Sequence, residues 1–160
     1  MSQEYSLDSY EMESEVSRED IGAVSQKYLI FVTEDLKFGV NVEFVKDIIH
    51  NLSITYLPRL PEYIRGIINL RGQIIPIVDI RLRLGKMEKE DNDLVIVLEI
   101  NGVQIGLLVD SVDQMIDIPD ANILPVPEQR AQQMVSGMCT LPGDSGTIMV
   151  LDCMQLLDHE

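Results

Sequence analysis

The chain repeats itself, and the repeating units are short apolar runs. Tyr28-Leu29-Ile30-Phe31 returns at an offset of 67 as Val95-Ile96-Val97-Leu98, and Phe38-Gly39-Val40 returns as Ile105-Gly106-Leu107. At the same offset Val45 meets Val112, and Leu57-Pro58 meets Leu124-Pro125. The offset then grows to 71, placing Ile64, Gly66, Leu70 and Gly72 on Val135, Gly137, Leu141 and Gly143. Beyond that it is 73, and Ile75, Ile77 and Asp79 meet Ile148, Val150 and Asp152. Apolar matches alone come cheaply; matched glycines and aspartates do not. The drift belongs to connections, which tolerate insertions that strands do not. Two copies, about 27–91 and 92–158, predict two small β-barrels sharing one core.

The runs have the length and composition of strands. "KYLIFVTE", "KFGVNV", "VKDIIH", "GIINL" and "QIIPIV" in the first copy are rich in Val and Ile and bounded by turn residues. So are "DLVIVLEI", "VQIGLLV", "DQMIDI", "NILPVP", "GMCTL" and "GTIMVLD" in the second. Two prolines in "YLPRLPEYIRG" exclude a long helix there. Only Pro127–Ser136 has room for a short helical piece. Asp79 and Asp152 each end an apolar run and are placed to cap a helical turn, with Gln155 completing a D-x-x-Q box. The expected class is all-β.

Charge narrows the function. At 160 residues and a formal net charge of −15, the chain is one domain with a real core and no basic stripe for nucleic acid or an anionic membrane. No apolar run approaches a membrane span, so direct membrane insertion is not expected. The opening "MSQEYSLDSYEMESE" lacks the basic and apolar regions of a signal peptide, which predicts a cytoplasmic protein. Residues 1–26 carry seven acids against one arginine and read as an acidic, disordered tail ahead of a domain over 27–160. Arg59 to Lys89 runs the other way, with seven basic residues against three acids, a candidate face for an acidic partner.

Catalytic chemistry finds little support. Cys139 falls on Ile68 and Cys153 on Ile80 in the repeat, so both thiols are expected in the core rather than as a redox pair. His50 and His159 are the only histidines, and no metal set has usable spacing. No glycine-rich loop opens a helix, so no cofactor cradle is expected. Asp144-Ser145-Gly146-Thr147 spells the D-S-G-T string of aspartic proteases. That mechanism needs a second carboxylate from the other half, where Arg71-Gly72-Gln73 stands instead. A hydrolase is the remote alternative.

One residue remains without a structural reason. Arg71-Gly72 joins "GIINL" to "QIIPIV", and its counterpart in the second copy is Pro142-Gly143. Pro-Gly is the preferred centre of a type II turn, whose first residue needs only an ordinary negative φ. If both copies share that turn, nothing in the fold asks for a guanidinium at position 71. Arg offers five donors in a planar fork, which suits recognition of a partner.

"LPEYIRGIINLRGQIIPIVDIRLRLG" resembles the signature of the CheW family, the coupling proteins of bacterial chemotaxis. Gly66, Asn69, Leu70, Arg71, Gly72, Pro76, Asp79, Arg81 and Gly85 fit it, and a looser likeness runs from Lys27 to about Leu157. The resemblance implies two five-stranded β-barrels around a shared hydrophobic core. It implies a non-catalytic adaptor joining the cytoplasmic tip of chemoreceptors to the regulatory domain of the histidine kinase CheA. A parallel pathway of twitching or gliding motility is the other use of the same module. Receptor contact carries over to Arg71 with Gly72, and the kinase face to Val45, Asp47 and Gly66.

Overall fold

The structure, a computed structural model, describes residues 4–5, 24–61, 63–84, 86, 93–126, 134–140 and 146–157. Among these the strands are β1 (Glu4–Tyr5), β2 (Ser25–Thr33), β3 (Leu36–Asn41), β4 (Val45–Ile49), β5 (Ile64–Leu70) and β6 (Gln73–Asp79) in the first part of the chain. There follow β7 (Leu94–Ile100), β8 (Val103–Val109), β9 (Ser111–Pro119), β10 (Val135–Thr140) and β11 (Thr147–Leu151). Two short helices complete it, α1 (Ile80–Arg83) and α2 (Cys153–Leu157).

Both helices begin where an aspartate was expected to cap them. Asp79 accepts from the Arg81 N–H at 2.9 Å, and Asp152 accepts from the N–H groups of Met154 and Gln155 at 3.1 and 3.2 Å. One other expectation fails, and a second lies largely outside the described residues. "NILPVP" is not a strand: Asp120–Asn122 form a 3-10 turn, and only Leu124 makes a bridge, to Met138. Of Pro127–Ser136, residues 127–133 lie outside the described residues, and Ser136 already belongs to β10.

The compact units cut across the repeat. One comprises Met1–Ser9 and Phe44–Ser111; the other comprises Tyr10–Glu43 and Val112–Glu160. The first holds the ladder β1-β4-β7-β8-β6-β5, the second β10-β11-β3-β2-β9. Set aside β1, and the two ladders have the same strand order with the copies exchanged: β4-β7-β8-β6-β5 answers β9-β2-β3-β11-β10. Each unit therefore takes one hairpin from the other copy. The parallel steps show how closely the pattern repeats, because Ile77 faces Gly106 in one unit and Val150 faces Gly39 in the other. Those pairs differ by the sequence offsets of 73 and 67.

Neither ladder closes into a barrel among the described residues, yet each behaves as one. Ile49 of β4 and Ile68 of β5 stand near opposite ends of the first ladder but share a cluster with Ile75, Ile77, Val95, Val97 and Leu108. In the second unit Ile118 of β9 and Cys139 of β10 share a cluster with Tyr28, Ile30, Ile148 and Val150. A sheet brings its two ends to one core only by curling. Aliphatic side chains dominate both clusters, as the composition requires.

Matched glycines mark where a connecting segment crosses close over each sheet. A Cβ on Gly66 would lie 2.4 Å from the Thr55 carbonyl oxygen, and one on Gly137 would lie 3.0 Å from that of Leu124. Thr55 bridges Ile67 just as Leu124 bridges Met138. The structural counterpart of Leu124 is thus Thr55, two residues before the Leu57 that the sequence repeat pairs with it. A β-bulge follows the same rule, with Arg65 the extra residue in β5 and Ser136 in β10.

Most of the expected N-terminal tail lies outside the described residues. Within it, Glu4–Tyr5 pair antiparallel with β4, and β2 opens at Ser25 rather than Lys27.

Candidate partner-binding site

The turn between β5 and β6 is not type II. Arg71 has φ 52° and Gly72 φ 83°, both left-handed, which defines a type I′ hairpin turn. The neighbouring β7–β8 turn is of the same type, with Asn101 at 51° and Gly102 at 81°. A proline cannot adopt that φ; Pro142-Gly143, the matched pair in the second copy, lies outside the described residues. The right-handed twist of the strands selects type I′, whereas only Gly, Asn and Asp tolerate its first position easily. Asn101 obeys that preference. Arg71 does not, and the left-handed conformation costs it about 1–2 kcal/mol.

Its neighbours in the motif are accounted for by the fold. Asn69 accepts a hydrogen bond from the Gly72 N–H at 3.1 Å and pins the turn. Leu70 packs on the first unit's core cluster, and Gly72 supplies the second positive φ. Arg71 faces outward, its side chain 70% exposed.

Arg71 is also held. Its guanidinium lies 3.6 Å from the Asp47 carboxylate on β4, and Asp47 in turn accepts from the Ile48 N–H at 2.9 Å. A bulge at Lys46 interrupts β4 here, turning Lys46 out toward Glu99 at 3.1 Å while Asp47 stays buried. Lys46, Asp47, Leu70, Arg71, Val97 and Gln104 line a small cavity of about 170 Å³. Gln73 and Gln104 continue it into a wider groove of about 530 Å³, floored by Ile74, Pro76 and Val103. Ile74 and Val103 are exposed apolar side chains, so this face combines a fixed charge pair with an apolar shelf.

The remaining expected site residues fall inside the fold. Val45, expected in an outward apolar patch, is 6% exposed and pairs with Leu98. Gly66 sits beneath the Thr55 crossing and presents no surface. Sequence reasoning placed five residues in two separate faces; the structure joins Arg71 and Asp47 into one and buries Val45 and Gly66.

Part of the basic island, Arg65, Arg81 and Arg83, is engaged within the fold. Arg65, carried inward by its bulge, pairs with fully buried Asp79 at 3.0 Å and donates to the Tyr56 hydroxyl at 3.2 Å. Burial pushes the Asp79 carboxyl up, and the hydrogen bonds from Arg65 and from the Arg81 N–H pull it partway back. Arg81 donates two bonds to Asp110, at 3.0 and 2.6 Å, and Arg83 lies 4.5 Å over the Tyr63 ring. The capping role of Asp79 was legible in the sequence, and its ion pair was not. A strand-end aspartate beside an arginine in a matched bulge was the signal available.

Cys139 and Cys153 are both buried, and burial raises both thiols, Cys153 to about 12. Among the described residues no group of His, Cys, Asp and Glu could hold a metal, and no helix is long and apolar enough to cross a membrane. Asp144 and Ser145 of the D-S-G-T string lie outside the described residues.

The family model of the CheW-like domain matches residues 27–160. The chain is 31% identical over 142 residues to the chemotaxis protein CheW of Klebsiella aerogenes, covering 86% of this chain and 84% of that one. It is 28% identical to the CheW of Bacillus subtilis over 84% and 88% of the two chains. The crystal structure of the scaffolding protein TtCheW from Thermoanaerobacter tengcongensis superposes with a TM-score of 0.72 at 32% identity, over 81% of this chain and 90% of that one. The chain belongs to the CheW-like domain family, and it is an adaptor of chemotaxis signalling.

Proposed function

We propose that this adaptor works in the cytoplasm, by binding alone, to link the cytoplasmic tips of chemoreceptors to the regulatory domain of the histidine kinase CheA. Arg71 is the receptor contact, at the tip of the β5–β6 hairpin. The kinase is met on the β4 side, where Asp47 and Lys46 stand. Val45 and Gly66 act there through the shape of the strand, since neither offers surface.

The observation that carries this reading is the turn. A type I′ turn selects Asn or Gly at position 71, as the adjacent Asn101 illustrates, and the chain places an exposed arginine there instead. Glu34 and Arg59 also hold a positive φ, so it is the exposed guanidinium at such a turn, beside Asp47, that supports a role outside the fold. Its planar donors suit carboxylates and backbone carbonyls of a partner.

The test is paired binding. Arg71→Asn keeps the turn and removes the guanidinium. It should weaken a receptor cytoplasmic fragment by roughly ten- to a hundred-fold, the worth of one charged hydrogen bond, and leave CheA binding near wild type. Unchanged receptor affinity would end the assignment.

A further inference from the structure

The outer edge of β4 carries a second strand. Glu4 pairs with Ile49 and Tyr5 with Ile48, antiparallel, so the first ladder has a sixth member where the second has none among the described residues. β4 is the end strand of the five common to both ladders, and an end strand exposes a row of backbone donors and acceptors that takes up any extended segment. We propose that this edge is a strand-addition surface and that the chain's own N-terminal strand is its occupant, a displaceable cover.

Two features make the cover displaceable. Among the described residues the pairing extends over two residues, short of the strand lengths that hold by themselves. Nineteen residues of sequence, 6–24, separate β1 from β2, so β1 is linked to the edge by the chain itself and competes with an added segment at the effective concentration of an intramolecular ligand. Ile48 and Ile49, the paired positions, lie one and two residues beyond Asp47 on the same strand. An extended segment approaching β4 therefore has to displace Glu4–Tyr5. The regulatory consequence rests on β4 being the kinase-facing strand: the N-terminal strand would then compete with the kinase.

The experiment uses the full-length chain with Tyr5→Pro, which removes a backbone donor, and Tyr5→Val as the strand-compatible control. Hydrogen exchange of the peptide covering residues 45–50 is read by mass spectrometry at two protein concentrations. Strand addition predicts about ten-fold faster exchange in Tyr5→Pro alone, the order expected for losing a pair of backbone hydrogen bonds. Equal exchange in all three proteins would overturn it. Wild-type protection that fades on dilution would also overturn it, by assigning the added strand to a second copy. Titration of the same proteins with the CheA regulatory domain tests the competition, which predicts roughly five-fold tighter binding for Tyr5→Pro. Faster exchange with unchanged affinity would uphold strand addition and overturn the competition. If wild type fails to bind the domain at all, the kinase assignment falls while the exchange result stands.

Discussion

The guanidinium of Arg71 and the carboxylate of Asp47 stand 3.6 Å apart, one side chain 70% and the other 10% exposed. They come from a hairpin tip and from a strand at the far end of the same ladder, brought together because the sheet curls. An ion pair open to water on one side contributes little to stability, about 0–1 kcal/mol. Its effect is to aim Arg71. The buried carboxylate helps set the direction in which a long side chain points, and it ties the tip of the β5–β6 hairpin to β4.

The turn at Arg71 separates two substitutions that the sequence repeat alone would treat alike. Arg71→Asn relieves the left-handed backbone and gives up an exposed ion pair of small worth, so its melting temperature should equal or slightly exceed wild type. Arg71→Pro copies the second repeat but cannot reach φ 52°, and should destabilise by more than about 1 kcal/mol. Thermal unfolding of both variants decides this. Equal melting temperatures would mean that the turn is not type I′.

Val45 gives a prediction about stability. Val45→Ala removes two buried methyl groups and should cost about 2 kcal/mol in urea unfolding, with Val45→Asp costing several kcal/mol more. CheA affinity, measured on the fraction that remains folded, should change little for Val45→Ala. A large affinity loss with unchanged stability would place the side chain outside the core.

The buried Arg65–Asp79 pair should show strong coupling. Asp79→Asn retains the cap on α1 but leaves a guanidinium buried without its counter-charge, a loss of about 3–5 kcal/mol. Arg65→Met with Asp79→Asn removes both charges and should recover much of that loss. A double-mutant cycle from denaturant unfolding measures the coupling, and additive effects would show that the pair is not jointly buried.

The strands were legible in the sequence because period and composition act locally. Tyr28–Phe31 and Val95–Leu98 could hardly be anything else. The exchange of hairpins between copies was not, since pairing Val150 with Gly39 and Ile77 with Gly106 depends on which edges meet in space. The repeat likewise found Gly66 and Gly137 but slipped by two residues at Thr55, where a connection carries few fixed landmarks. At the site, the motif exposed Arg71 as surplus to the fold, but for the wrong turn. The partnership with Asp47 was out of reach, because it arises from the curl of the sheet.

The two buried thiols predict how stability responds to alkali. Desolvation raises Cys153 to about 12, with Asp152 and Glu43 adding to it, and burial raises Cys139 as well. In the unfolded chain a thiol titrates near 8.5. Below that value both states hold the proton and the contribution is fully present. As pH rises past it, the unfolded chain releases protons that the native state retains, and stability falls by up to about 1.4 kcal/mol per pH unit for each thiol. Tyr28 is also raised by burial, but an unfolded tyrosine titrates near 10, so between about pH 8.5 and 10 the thiols dominate. Urea unfolding across that window should show wild-type stability declining, with a shallower slope in Cys153→Ala whatever its absolute stability. An identical slope in the variant would show that the Cys153 thiol is not held protonated by the fold.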